Sequence, residues 1–416
     1  MEHFEYRKNK LYCEEVPVAD AARRVGTPCY IYSQSAIERR FREFDTAFAN
    51  VPHLVCYAVK ANSNLAVLAL LHRLGSGFDI VSGGELQRAL RAGADPGRIV
   101  FSGVGKTRAE IDLGIRHGIL QFNAESDSEL DMLSGRAVAL RKTVRVGLRV
   151  NPDVKAETHP YHTTGMRDHK FGVPLEKAVA VFRKAKRLPG LEVIGVGFHI
   201  GSQITRLDPF AEALERIGRL VHELRLSGIV IRHLDLGGGL GIAYKDETPP
   251  EPRDYARAMI RAAAGLDCRL LLEPGRAIVG NAGILVARVL RTKHSGGKRF
   301  IVVDAAMNDL IRPSLYGAYH HIRPETATRR RKWMVDVVGP VCETGDFLAR
   351  DRRLPVMKAD DLLAIMSAGA YGFVQSSNYN SRLRIPEVMV KGSRFKVIRR
   401  RERFEDIVRQ ESCTPL

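Results

Sequence analysis

The sequence predicts an α/β fold: a (β/α)8 barrel of the TIM type joined to a β-rich domain of sandwich or barrel-like character. Three observations lead there. Between residues 54 and 276, eight short apolar runs alternate with helical patterns. Near-continuous apolar strands separated by helices mark a parallel sheet buried on both faces, and about 220 residues is the size at which eight such units close into a barrel. After Arg276 the rhythm changes to strands with few long helical patterns between them. An open, doubly wound sheet is the other arrangement such units allow.

The barrel strands are read as Leu54–Val59, Phe78–Val81, Ile99–Phe101, Leu120–Phe122, Val144–Val150, Val193–Phe198, His233–Leu236 and Leu270–Leu272. Segments such as Asn64–Leu74, Gly84–Ala92, Leu175–Arg187 and Pro209–Leu226 space their apolar residues as helices do. Beyond Arg276, Gly283–Thr292 and Arg299–Val303 flank the turn His294-Ser-Gly-Gly297, which has hairpin chemistry. Trp333–Val338, Leu362–Met366, Glu387–Val390 and Phe395–Arg399 continue the strand character. Near the start, Pro28-Cys-Tyr-Ile-Tyr32 reads as a strand and precedes the helix Ala36–Phe48. The expected division is therefore a barrel over residues 36–277 and a discontinuous β-rich domain made of 1–35 and 278–416.

Composition narrows the class of protein. The 416 residues are 45% hydrophobic and 27% charged, which argues against disorder. No run approaches the roughly 18–20 apolar residues of a membrane helix, and the opening MEHFEYRKNK lacks the apolar core of a secretory signal. A soluble, cytoplasmic protein is expected. The net charge is +18, with basic runs at Arg329–Lys332 and in the tail, where ten Lys/Arg stand against five Asp/Glu from Arg382 onward. No nucleic-acid motif accompanies them, so they read as solvated surface that also draws anionic small molecules. The six cysteines form no CxxC pair and no zinc ladder, so no metal framework is expected. His159, His162 and His169 lack a carboxylate at a ligand spacing and are not read as a metal site. Gly105-Lys106-Thr107 resembles the end of a phosphate-binding loop, but Val100 stands where that motif needs glycine.

Chemistry in such barrels gathers at the C-terminal ends of the strands. The first strand ends in Lys60. A lysine closing an apolar strand is desolvated, which favours the neutral amine that forms Schiff bases. The sixth ends in His199 and Gly201-Ser202-Gln203, and the seventh runs into Gly237-Gly238-Gly239-Leu240-Gly241. The eighth ends in Glu273-Pro274-Gly275-Arg276. Loops after strands seven and eight commonly hold a phosphate. A phosphate site beside a Schiff-base lysine points to pyridoxal 5'-phosphate.

Tyr57-Ala-Val-Lys60-Ala-Asn62, His199-Ile-Gly-Ser-Gln203, the Gly237–Gly241 run and Glu273-Pro-Gly-Arg276 resemble the alanine-racemase-like, fold-type III pyridoxal phosphate enzymes. Met307-Asn-Asp-Leu-Ile-Arg-Pro-Ser-Leu-Tyr316, Gly339-Pro-Val-Cys-Glu343 and Ala370-Tyr371-Gly372 narrow the resemblance to the diaminopimelate decarboxylase family, from Thr27-Pro28 to Glu402. The resemblance implies a homodimeric lyase that decarboxylates meso-2,6-diaminopimelate to L-lysine. Lys60 would carry the cofactor as a Schiff base, His199 would stack on its ring and Glu273 would pair with the ring nitrogen. Ser202, Gly238, Gly239, Gly275 and the backbone of Arg276 would hold the phosphate, with Tyr371 nearby. Arg276, Arg312, Tyr316, Glu343 and Tyr371 would bind the substrate. Cys342, reaching in with Glu343 from the second subunit, would protonate the carbanion.

Arg312 suits a distal carboxylate and Glu343 a distal ammonium. A plain diamine precursor such as ornithine would leave Arg312 without that carboxylate. Gly317 and Thr344 depart from the family pattern at positions with no proposed role. The alternatives are a decarboxylase of another amino acid (ornithine, arginine, a carboxyspermidine-like or a carrier-tethered one) and a non-catalytic homologue that binds the same cofactor.

Overall fold

The computed structural model describes residues 3–155 and 170–414, so His159, His162 and His169 lie outside the described residues. The chain forms two compact units. One comprises Arg40–Ile242 with Thr248–Ala277, and the other Met1–Arg39 with Ala243–Glu247 and Ile278–Leu416.

The first unit contains eight parallel strands in a closed ring. They are β1 (His53–Ala58), β2 (Gly77–Ile80), β3 (Ile99–Phe101), β4 (Gln121–Ala124), β5 (Val144–Asn151), β6 (Leu191–Gly197), β7 (His233–Asp235) and β8 (Arg269–Leu272). Neighbours in the chain are neighbours in the sheet, β8 pairs back onto β1, and Val173–Pro174 adds a two-residue strand beside the end of β5. This is the (β/α)8 barrel that the apolar runs predict. The crossover helices start where the sequence supplies caps. Ser82 and Ser126 accept from the backbone N–H groups of Glu85 and Glu129, and Thr107 with Glu110 completes a reciprocal capping box. Each helix buries an apolar stripe, as Leu130, Leu133 and Ala137 do in Asp127–Ala139.

Side chains alternate across a strand, so residues two apart share a face. The face carrying Leu54 and Cys56 joins Val100, Leu120 and Leu271 in one apolar cluster. Two residues beyond Val100 and Leu271 the same face turns polar at Ser102 and Glu273, and Asn123 and Asp235 are likewise buried polar residues near the strand ends. The barrel interior thus passes from apolar to strongly polar toward the strand ends.

In the second unit the N-terminal strand Cys29–Ser33 lies between Gly283–Ser295, antiparallel, and Glu387–Lys391, parallel. Its alternating side chains feed two cores. Tyr30 and Tyr32 pack with Leu285, Val303 and Ile365, while Cys29 and Ile31 pack with Ile284, Val388 and Val390. This strand is why Tyr32 and Glu387, 355 positions apart, share one sheet. The hairpin turn is confined to Gly296-Gly297, both with positive φ, between Gly283–Ser295 and Lys298–Val303. Three features of this unit lie outside the sequence expectation, one of them the short strand Ile322–Pro324 paired with Leu362–Ile365. Phe347–Pro355 is a strand despite the central Arg350-Asp-Arg-Arg353, because it pairs along one side with Lys332–Val338 and leaves those charges at least partly exposed. Phe4–Arg7, Lys10–Cys13 and Val16–Pro17 form a small sheet whose strands are too short to show a period.

Candidate active site

Strand β1 stops at Ala58, and Lys60 sits on the 3-10 turn Val59–Ala61 immediately after it. The turn lifts the lysine off the sheet. Its ammonium is held 2.7 Å from Asp79 Oδ2 on β2, a wholly buried carboxylate. Lys60, His199 and Glu273 line one cavity of about 310 Å³, with Ser102, Asn123, Arg149, Phe171 and Asp235 among the other walls.

The electrostatics of that cavity are unusual. Burial, then the carboxylates of Asp235 and Asp79, push Glu273 well above the ordinary carboxylate range, with Lys60 opposing. Asp235 is pushed up to about 6, chiefly by burial, while the Gly237 N–H and the Asn123 amide favour its ionised form. The two carboxyls bond to each other, and that bond favours the ionised form of Asp235 and the protonated form of Glu273. Burial, with the charges of Arg149 and Lys60, holds His199 well below the usual histidine range, so its ring is neutral. Nδ1 accepts from the Gly238 N–H at 3.1 Å, which places the ring proton on Nε2.

The glycine run owes its composition to close approach. A Cβ on Gly238 would lie 2.2 Å from the Glu273 carbonyl oxygen, and one on Gly239, at φ +109°, 2.4 Å from that of Gly201. The ends of β6, β7 and β8 are thereby drawn together. Arg276 Nη2 donates to Ser202 Oγ at 3.0 Å, uniting the loops after β6 and β8. Gly275 packs on Ala58 and Ala61 beside the lysine turn.

These groups fit pyridoxal phosphate. An amine, two buried carboxyls and a neutral imidazole meet in one cavity, and glycine-rich loops and a serine–arginine pair stand at the strand ends beside it. Arg149 Nη2 on the cavity wall is a buried donor with no hydrogen-bond partner among the described residues, which suits an anionic ligand.

The remaining sequence-predicted residues belong to the β-rich unit. Arg312 is buried, its Nη1 2.8 Å from His320 Nε2 and its guanidinium 4.7 Å above the Tyr244 ring. Tyr316 accepts at its hydroxyl from Gln375 Nε2 at 3.3 Å, and Tyr371 holds a left-handed backbone at φ +55°. Cys342 and Glu343 are exposed on a loop pinned by Asp346, which accepts from the N–H groups of Met307 and Val341. The Cys342 N–H donates to Asn380 Oδ1, and Tyr379 bonds to the Glu343 side chain.

The family profile described as "Pyridoxal-dependent decarboxylase, pyridoxal binding domain" matches residues 34–280. A diaminopimelate decarboxylase of Pseudomonas aeruginosa is 53% identical over 418 residues, covering 100% of both chains. The chain belongs to the diaminopimelate decarboxylase family. Within that family the Vibrio cholerae enzyme is 51% identical, again over 100% of both chains. Among solved structures, diaminopimelate decarboxylase from M. jannaschii in co-complex with L-lysine superposes with a TM-score of 0.95 at 36% identity, covering 100% of this chain and 98% of the other. The Helicobacter pylori enzyme complexed with L-lysine gives 0.92 at 43% identity, covering 94% and 98%.

Sequence reasoning missed Asp79, Ser102, Asn123, Arg149 and Asp235. A signal was present. Phe78-Asp-Ile80 sets one polar residue inside an apolar run, and Gln121-Phe-Asn-Ala124 and His233-Leu-Asp-Leu236 alternate polar with apolar residues. Charged and amide groups are rarely buried without a partner, so such a position is informative.

Proposed function

We propose that this chain is a homodimeric, cytoplasmic enzyme that uses pyridoxal 5'-phosphate to decarboxylate meso-2,6-diaminopimelate to L-lysine and carbon dioxide, the last step of lysine biosynthesis. The observation that carries this is the meeting of Lys60, His199 and Glu273 in one barrel cavity, in a chain matched end to end by diaminopimelate decarboxylases. Pyridoxal phosphate, when bound, supplies the electron sink for the charge that departure of carbon dioxide leaves on carbon.

Lys60 holds the cofactor through its amine, and Asp79 keeps that amine at the cavity. His199 would offer the ring a flat, neutral wall, and Glu273 would pair with the ring nitrogen. Ser202, Gly238, Gly239, Gly275 and the Arg276 backbone would hold the phosphate, and Tyr371 is assigned to the same cofactor set. The substrate is bound by Arg276, Arg312, Tyr316, Glu343 and Tyr371. Arg312 grips the distal carboxylate, its fork held in plane by His320 and Tyr244. Cys342 delivers the proton that replaces the carboxyl group. Its exposure, shared with Glu343, leaves both side chains available to the cavity of a second copy.

The test is product analysis of purified protein given pyridoxal phosphate and either meso-diaminopimelate or ornithine. Lysine and carbon dioxide from the first, and at least a hundredfold lower turnover of the second, are expected, about the penalty for leaving a buried charge unpaired. Carbon dioxide from ornithine alone refutes the substrate assignment. An absorbance band that Lys60→Ala fails to develop checks the cofactor lysine.

A further inference from the structure

Five polar side chains form a continuous chain through the barrel interior. His233 Nδ1 lies 2.7 Å from Gln121 Oε1, Gln121 Nε2 donates to Asn123 Oδ1 at 2.7 Å, and Asn123 Nδ2 donates to Ser102 Oγ at 3.2 Å. Ser102 Oγ then donates to Glu273 Oε1 at 3.3 Å. The second hydrogen of Asn123 Nδ2 goes to Asp235 Oδ2 at 2.8 Å.

Direction follows from chemistry. An ionised Asp235 only accepts, so the Asn123 nitrogen must face it and the Asn123 oxygen must face Gln121. Gln121 then turns its own oxygen to His233, whose Nδ1 carries the ring proton. Every link donates toward Glu273. The space for this chain is built into two other strands. A Cβ on Gly147 would lie 2.8 Å from Asn123 Oδ1 and 2.9 Å from Gln121 Nε2, and one on Gly195 would lie 3.2 Å from both polar atoms of the Gln121 amide. Glycine inside a strand weakens it; here it admits the amides.

We propose that Ser102 and Asn123 are positioning residues which, together with the Gly237 N–H, allow Asp235 and Glu273 to be ionised at the same time, so that the ring nitrogen of bound pyridoxal phosphate carries the proton. This rests on the function proposed above. The balance is simple. From the form in which Glu273 is protonated and bonded to Asp235, the O–H bond and the carboxyl–carboxyl hydrogen bond would break, an N–H bond would form at the ring nitrogen, and the pair would carry two negative charges against one new positive charge. Three donors meet those charges: Gly237 N–H on Asp235 Oδ1 at 2.9 Å, Asn123 on Asp235 Oδ2, and Ser102 on Glu273 Oε1. The charged groups that act on Glu273 are Asp235 and Asp79, which oppose its ionisation, and Lys60, which favours it. Without the donors, two like charges in low dielectric would return the proton to Glu273.

The test is nitrogen NMR of holoenzyme reconstituted with pyridoxal phosphate labelled with nitrogen-15 in the ring. Wild type should show a protonated ring nitrogen. Ser102→Ala and Asn123→Leu should move the signal toward neutral pyridine and lower kcat about tenfold with KM within about twofold, the loss of one hydrogen bond to a charged group. Ser102→Thr, which keeps the hydroxyl, should restore both. If Asn123→Leu does not fold, the Ser102 pair carries the test alone. A wild-type signal in Ser102→Ala overturns the proposal while leaving the enzyme's function intact. A wild-type chain that takes up no pyridoxal phosphate overturns the functional assignment and this proposal with it.

Discussion

Replacing Lys106 with methionine should destabilise the barrel by about 3–5 kcal/mol, the usual consequence of removing one partner from a buried ion pair. Lys106 is nearly inaccessible, and its ammonium places all three hydrogens: on Glu129 Oε1 at 2.7 Å, the Gly103 carbonyl at 2.7 Å and the Asn123 carbonyl at 2.8 Å. Methionine keeps the apolar stem but strands the Glu129 carboxylate, whose other oxygen accepts from the Glu125 N–H at 2.9 Å. Summing three charged hydrogen bonds would exceed the expected loss, because the carbonyls relax toward other donors. The double variant Lys106→Met with Glu129→Leu removes the stranded charge and should regain at least about 2 kcal/mol. Urea unfolding followed by far-ultraviolet circular dichroism, with the four variants arranged as a double-mutant cycle, measures both terms. A loss under about 1 kcal/mol in Lys106→Met, or a double variant no better than the sum of the singles, would refute this account of Lys106.

Asp309 is pushed up to about 7, first by burial, with the Ala306 N–H and the charges of Arg382 and Arg401 opposing. The folded chain therefore holds this proton more tightly than the unfolded chain, whose carboxyl titrates near about 3.9. Its contribution to stability is full below about pH 4 and is lost as pH rises toward 7; Asp309→Asn should flatten the melting temperature across that window relative to wild type. In Gly369→Ala the new Cβ would meet the Val279 carbonyl at 1.9 Å, backbone against backbone, so expression as soluble protein should fall sharply. Arg312→Lys should lower kcat/KM for meso-diaminopimelate about tenfold or more, since an ammonium cannot reproduce the planar fork; unchanged kinetics would remove Arg312 from the substrate site. Mixing inactive Lys60→Ala and Cys342→Ala proteins should restore about a quarter of wild-type activity, because random exchange makes half the dimers mixed and each mixed dimer holds one intact site. No recovery after subunit exchange would show that the two residues serve the same chain's site.

The barrel was legible because its strands are buried on both faces and so read as apolar runs. Lys60, His199 and Glu273 could be found because strand ends are countable once the runs are aligned. Asp79 and Asp235 escaped because polar residues inside short strands were not weighed against the chemistry gathered at the strand ends. The strand Phe347–Pro355 escaped for the opposite reason: its exposed middle is charged, and an edge strand need not be apolar.

What the sequence determines by itself is local: the alternation of strand and helix, the caps, the hairpin glycines, and the residue types waiting at each strand end. It also carries the likeness to diaminopimelate decarboxylases along its whole length. Tertiary structure alone decides which of those residues meet. Lys60 finds Asp79 across 19 positions, Asn123 finds Asp235 across 112, and Ser102 finds Glu273 across 171. The reason is geometric. Closing the sheet brings inward-facing positions at the same level of different strands within reach of one another, where burial makes each charge and hydrogen bond count for more.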